Sequence, residues 1–390
     1  MIRFIPTIFC CSLAALLTVS WFDIADCSSP EPNIQPALQA IEGAFGLVER
    51  DTQGTIVGVD LALERASATD EVLKLALALP NLKKFRLAGG TVSAEVFSAL
   101  TTQPDLEELF LQDLVIRDEE FLPVVSTLSK LGRLTLRRLP NISDESIIPL
   151  FCLPALRQLA LIEMPITGVS LRSLDDSMTL AALDVRNCAQ LVPDDYKNLL
   201  RLPQLADLRI GGFAVNDRSL EVIALLPTLR GLTIDDSLVS ADGFKKLMEN
   251  SRSAGTLETL VLNRNSSLSD DTLLAIGNLP QLRRLILNDA MVTCVFLERL
   301  AEDEQKRPKF NELSLRQTFL TGEAIAVLKK YPELQSLQIT GIVLSKEKLE
   351  MFLSLPRLER LDLIGCSLDE DARRFLQESE LPKLLKSLKY

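Results

Sequence analysis

The chain has 390 residues, 47% of them hydrophobic, and 53 acidic against 42 basic side chains give it a net charge of −11. Such acidity disfavours nucleic acid and anionic lipid as partners. Histidine is absent, which removes the commonest general base, the Ser-His and Cys-His nucleophile pairs and most catalytic zinc sites.

In chain order, residues 1–27 read as a targeting segment: Arg3 supplies a positive start, and residues 5–22 carry no charge. Three fates stay open. The segment is cleaved after Ser20 or near Cys27, it stays as a signal anchor, or Cys27 carries lipid, since Ile24-Ala25-Asp26-Cys27 resembles a lipobox with Asp26 where a small residue is expected. Each fate places the chain outside the cytoplasm: in the periplasm, at the cell surface or secreted. A membrane enters only through this N-terminal anchor. Residues 28–35, with Pro30, Pro32 and Pro36 in or beside them, form an exposed tether. Residues 36–55 make an N-terminal cap: an amphipathic helix over 36–44, a strand over 46–50, and a turn from Asp51 to Gly54.

From Ile56 to Tyr390 the phrase Leu-x-x-Leu-x-Leu recurs every 24 to 28 residues, beginning at Ile56, Leu82, Leu106, Leu131, Leu156, Leu180, Leu205, Leu229, Leu257, Leu282, Phe310, Leu334, Leu358 and, truncated, Leu385. Each unit then carries an aliphatic residue, a helix-start residue (Ser93, Asp118, Ser143, Asp217, Ser240, Ser269, Thr321, Ser345), about ten helical positions and commonly Leu-Pro. The proline ends the helix and returns the chain to the next strand. One such unit cannot bury its own leucines; stacked neighbours make a continuous core.

A period of this length with this phrase resembles the leucine-rich repeat family over residues 56–390. The resemblance implies an α/β solenoid, a horseshoe with a parallel concave sheet and convex helices, about thirteen full units plus a truncated C-terminal strand. The ninth position, where many members carry an Asn ladder, holds residues such as Gly90, Leu114, Met164, Cys188, Phe213, Asn265 and Cys366. That column is similar to the cysteine-containing, helix-backed subclass, whose turns would be closed by packing. The cap layout resembles that of secreted repeat proteins of planctomycete-type bacteria.

Within the phrase the fourth and sixth residues face the core, and the third, fifth and seventh face solvent on the concave side. Lys84, Arg86, Arg133, Arg137 and Arg186 cluster there around Phe110, read as an exposed aromatic anchor, and make the candidate partner-binding site. The competing reading is ordinary cross-strand contact: Phe110 stacking with Arg86, and Asp184 pairing with Arg209. The acidic groups Asp194-Asp195, Asp235-Asp236, Asp270-Asp271 and 369–371 read as helix starts and turns rather than acid-base pairs or calcium ligands. Cys152, Cys188, Cys294 and Cys366 sit mostly in non-adjacent units, beyond disulfide reach, and read as buried apolar residues. Extra length in 249–255 and 301–308 reads as solvated insertions. The sequence therefore predicts a non-enzymatic protein-binding scaffold with no cofactor and no metal. Two other readings stand: a structural envelope protein self-associating at its C-terminal sheet edge, and a carboxylate-dependent hydrolase.

Overall fold

A computed structural model describes residues 34–90, 92–175, 179–319, 322–378 and 387–389. The targeting segment and Thr321 lie outside the described residues. From Gln35 onward the chain forms one unit.

The strands are β1 (Leu47–Arg50), β2 (Ile56–Leu61), β3 (Lys84–Ala88), β4 (Glu108–Gln112), β5 (Arg133–Arg137), β6 (Gln158–Ile162), β7 (Ala182–Asp184), β8 (Asp207–Gly212), β9 (Gly231–Ser237), β10 (Thr259–Asn263), β11 (Arg284–Ile286), β12 (Glu312–Leu315), β13 (Ser336–Ile339), β14 (Val343–Leu344), β15 (Arg360–Asp362), β16 (Ser367–Leu368) and β17 (Ser387–Lys389). All except β14 and β16, which pair with each other, form one 15-stranded sheet in chain order. β1 is antiparallel to β2, and the rest run parallel. The fourth residue of each phrase aligns with its neighbours across the sheet: Val59, Phe85, Leu109, Leu134, Leu159, Leu183 and Leu208 occupy one column. All seven are buried, as the alternation of a strand requires. The column continues through Leu232, Leu260, Leu285, Leu313 and Leu337 to Leu361 and Leu388.

Each strand ends in the same turn. In every unit from Gly89 to Gly365 the eighth residue of the phrase has positive φ, between 49° and 88°. Most of these residues are not glycine: Asp113, Arg138, Glu163, Asn187, Asp236, Arg264, Asp289 and Gln317 all adopt it, at a cost on the order of 1–2 kcal/mol each. What offsets that cost is one further rung of the ladder. Thus Asp113 donates its N–H to the Arg137 carbonyl at 3.0 Å, Arg138 to Ile162 at 3.1 Å, and Glu163 to Arg186 at 2.9 Å.

Helices cover the other face of the sheet. They are short, from Asp144–Ile147 to Ala241–Asn250, and several pass into a tighter helical turn such as Ala99–Thr102 or Pro193–Arg201. Ser93, Ser143, Ser240 and Ser269 cap their helices with a side-chain acceptor. The expectation that Asp118 and Asp217 do the same is corrected: the caps are Arg117 and Asn216, and each aspartate is the first helical residue. Asp118 instead reaches forward and accepts from the Ser143 N–H (2.9 Å) and hydroxyl (2.6 Å). The same contact recurs from Asp70 to Ser93, Asp144 to Thr167, Asp217 to Ser240 and Asp270 to Thr293. A relay of carboxylates thus ties one helix start to the next. Small buried residues, Ser146 and Ser170, stand opposite Asp118 and Asp144, a Cβ on Gly243 would come within 2.0 Å of Asp217 Oδ1, and Asp270 accepts from the Phe296 N–H at 3.1 Å.

The insertion over 249–255 is mostly exposed, as expected of a solvated segment, but it is pinned at one residue. Ser253 is buried; it accepts from the Leu229 N–H at 3.0 Å and donates to the Leu226 carbonyl at 2.5 Å. Gln103 closes an earlier turn in the same way, donating to Leu77 and Leu79 at 2.8 and 2.9 Å. Free backbone groups at helix ends are thereby satisfied without water.

Candidate protein-binding face

The third, fifth and seventh residues of the phrase stand on the open face of the sheet, half-buried or exposed in β3, β4 and β5, whereas Asp184, Thr233, Asp235, Ser314 and Ser336 at such positions are buried. There the structure brings Lys84, Arg86, Phe110 and Arg133 onto three adjacent strands. Glu49 and Lys84 meet at 2.7 Å across the bare Gly58, whose Cβ, if present, would stand 3.2–3.3 Å from both stems. That hydrogen bond and charge hold the Lys84 ammonium above its ordinary pKa. Arg86 approaches Asp60 at 3.1 Å and Glu108 at 3.8 Å while its guanidinium lies 4.4 Å from the centre of the Phe110 ring. Arg133 takes the other side of Glu108 at 3.0 Å and donates to Gln158 at 2.7 Å.

One expectation is corrected by this geometry. Phe110 is half-buried rather than exposed, because Arg86 covers its ring. Each cation of the set faces a carboxylate. Arg137 lies further along β5 and binds Glu163 at 3.3 Å. Arg186 follows β7, apart from the others. It grips Asp184 at 2.8 Å and reaches over Gly211 to Asp235 at 3.1 Å, where Arg264 also binds at 2.7 Å. Burial works against the Arg186 charge, yet the two carboxylates hold its pKa above the ordinary value. Asp184 therefore pairs with Arg186 and not with Arg209, which has no ion pair among the described residues.

Beside this network the open face dips. Thr135, Ala160 and Ala182 present small side chains on β5, β6 and β7, leaving a depression of about 390 Å³ flanked by Arg133, Gln158, Asp207 and Arg209. Asp207 folds over Gly231, whose Cβ would come within 2.0 Å of its Oδ1. The chemistry offered is a shallow socket with an unpaired guanidinium at its edge.

A second concavity lies where strands pass into helices. A groove of about 1020 Å³ runs past the turns that follow β5 to β9, from Arg138 through Pro165 and Val192 to Phe213 and Asp236. The ninth residue of the phrase is buried at Leu114, Leu139, Met164, Cys188 and Asn265 and half-buried at Ser237 in the unit after β8. Phe213, in the same column, is 76% exposed. The Gly211-Gly212 pair precedes it, and at that point the register against β9 shifts, Asp236 being the extra residue on β9. Composition reasoning missed this residue. The signal was present as an aromatic in an inward column, directly after two glycines.

The acidic groups, Asp236 excepted, make structural contacts. Asp194 binds Lys197 at 2.8 Å and Arg218 at 2.7 Å, Asp195 accepts from the Val192 N–H at 2.9 Å, Asp271 pairs with Arg299, and Asp369 accepts from the Ala372 N–H at 2.7 Å. Among the described residues no group of three or more His, Cys, Asp or Glu is placed to hold a metal. Burial pushes the Cys188 and Cys294 thiols up to about 12, so neither forms a thiolate readily. Cys188 and Cys366 donate to the Leu161 and Ile339 carbonyls of the preceding unit at 2.9 and 3.5 Å, and Asn265 does the same toward Ile234 at 2.8 Å. Cys152 departs from expectation and is exposed. Among the described residues no helix is long and apolar enough to cross a membrane.

Fourteen parallel strands in register, each one phrase of a 24- to 28-residue repeat with helices behind it, define a leucine-rich repeat solenoid. No family model matches the chain, and no curated protein does. Similar solved structures include an internalin from Listeria monocytogenes, 18% identical over 91% of this chain and 94% of that one, with a TM-score of 0.43. A chain of the Rad7 and Elc1 complex in yeast is 19% identical over 70% of this chain, with a TM-score of 0.43. This chain spans 66% of the latter's length.

Proposed function

We propose that the protein is a non-enzymatic scaffold that binds a protein partner on the open face of its sheet, outside the cytoplasm. The observation that carries this reading is the depression on β5 to β7, bordered by the unpaired Arg209 and by Arg133. Sockets of this kind accept a protruding side chain at the centre of an interface. The surrounding ion pairs fix the face in advance, so little ordering entropy is lost on binding. Lys84, Arg86, Phe110 and Arg137 would contribute the neighbouring contacts. Arg186 would serve as support, being occupied with two carboxylates. The targeting segment supports a periplasmic or surface location. The cap layout supports a likeness to secreted repeat proteins of planctomycete-type bacteria, and the Cys188 and Cys366 contacts support the cysteine-containing subclass.

The test uses residues 28–390 as bait on native envelope and secreted fractions, beside an Ala160→Trp variant that fills the depression and a Phe110→Ala, Arg133→Glu double variant. A partner retained by the wild type and lost from both variants is the expected result. A partner retained by all three removes the open face from consideration. Self-association without any partner, seen by light scattering, would favour the structural reading, with pairing at β17.

A further inference from the structure

We infer that the rim groove beneath Phe213 is a second binding site, and that its occupant is an extended segment of a partner protein carrying an arginine or lysine beside apolar residues. The inference rests on the protein-binding reading but uses a different surface. It begins from an exposed ring. Phe213 stands in a column buried at Cys188 before it and half-buried at Ser237 after it, and it leaves a large apolar ring in water, a cost that folding alone gives no reason to accept. The ring borders a groove whose floor and walls include Pro165, Cys188 and Val192, Val192 itself being mostly uncovered.

Dimensions favour a peptide. The groove passes five successive turns, from Arg138 after β5 to Asp236 at the end of β9, so at strand spacing it is about 19 Å long, room for roughly six extended residues. Charge sets the polarity of the occupant. At one end Arg138 and Glu163 are neutralised, Arg138 by Asp113 at 2.6 Å and Glu163 by Arg137 at 3.3 Å. Asp236, at the other end, has no ion pair among the described residues. A guanidinium or ammonium placed there meets a carboxylate and the face of Phe213 together, a combination of ion pairing and cation–π attraction. The acidic chain, at −11, attracts such a segment from a distance.

The experiment is selection from a random octapeptide display library against residues 28–390, followed by fluorescence polarisation with the synthesised winners. Wild-type protein should enrich peptides with Arg or Lys next to an aliphatic or aromatic residue. Phe213→Ala should weaken them by about tenfold or more without lowering the melting temperature, because the ring is exposed. Asp236→Asn, compatible with the positive φ there, should erase the preference for a basic residue. Ala160→Trp should leave these peptides bound, which separates this site from the open face. Enrichment of acidic or uncharged peptides, or none beyond the Phe213→Ala background, would overturn the proposal. So would wild-type self-association abolished by Phe213→Ala, which would seat a second copy in the groove.

Discussion

Leu208 and Arg209 are adjacent in sequence and opposite in environment, the first buried in the central column of the sheet and the second exposed on its open face. Leu208→Ala should cost about 2–5 kcal/mol through the cavity it leaves, and Arg209→Ala less than about 0.5 kcal/mol. Equal melting temperatures for the two variants would contradict the register. Gln317 adopts φ 54° at the strand-ending turn. Gln317→Gly should therefore raise stability by about 0.5–1 kcal/mol, relief of left-handed strain exceeding the added chain entropy; chemical denaturation decides it. At this scale the core was legible, because alternation in a strand names the buried residue. Phe213 was not, since its outward turn comes where the register between β8 and β9 shifts, a property of two strands together. The pairing of Arg186 with Asp235 was equally hidden. It spans an intervening strand and requires the absence of a side chain at Gly211.

Between elements, the carboxylate relay replaces the amide ladder that column nine mostly lacks. Asp144 shows its energetics. Burial would raise its pKa, but hydrogen bonds from Ser170 and Thr167 outweigh that and hold it below the ordinary 3.8. A carboxylate with a depressed folded pKa contributes stability that is complete above its unfolded value and lost as pH falls through the folded one. Melting temperature should therefore drop below about pH 4, and Asp144→Asn, which keeps an acceptor but cannot titrate, should flatten that part of the profile. An unchanged profile would remove Asp144 from the relay. Sequence reasoning misplaced Asp118 and Asp217 by one position. Aspartate is a good cap and a good first-turn residue, and only the next unit's serine distinguishes the roles. Similarly, Ser253 lies in a stretch whose polarity suggests solvent, while its burial comes from a preceding helix end that leaves donors and acceptors to be met.

As a whole the stack is one-dimensional: each unit touches its neighbours, and stability is a sum over units and interfaces. Damage in one unit should stay local. Hydrogen exchange read by mass spectrometry on Leu208→Ala should show protection lost over the units containing β7 to β9 and kept in those containing β3 and β4. Uniform loss along the chain would mean that the stack unfolds as one body. The fold class followed from the period alone, because few architectures repeat every 24 to 28 residues. The binding face did not follow, since a list of charges on a sheet says nothing of which are already neutralised.

The relay has gaps. Helices that begin with Ala94, Gly168 or Ala241 have no carboxylate at that first position to offer the following unit, so the fastening that runs from Asp118 through Ser143 and Asp144 to Thr167 stops there. These are seams. Under mechanical load or limited proteolysis the stack should part first along them, releasing blocks of several units rather than single repeats. Lineages that lengthen or shorten such a chain would find the same places the easiest to cut and rejoin.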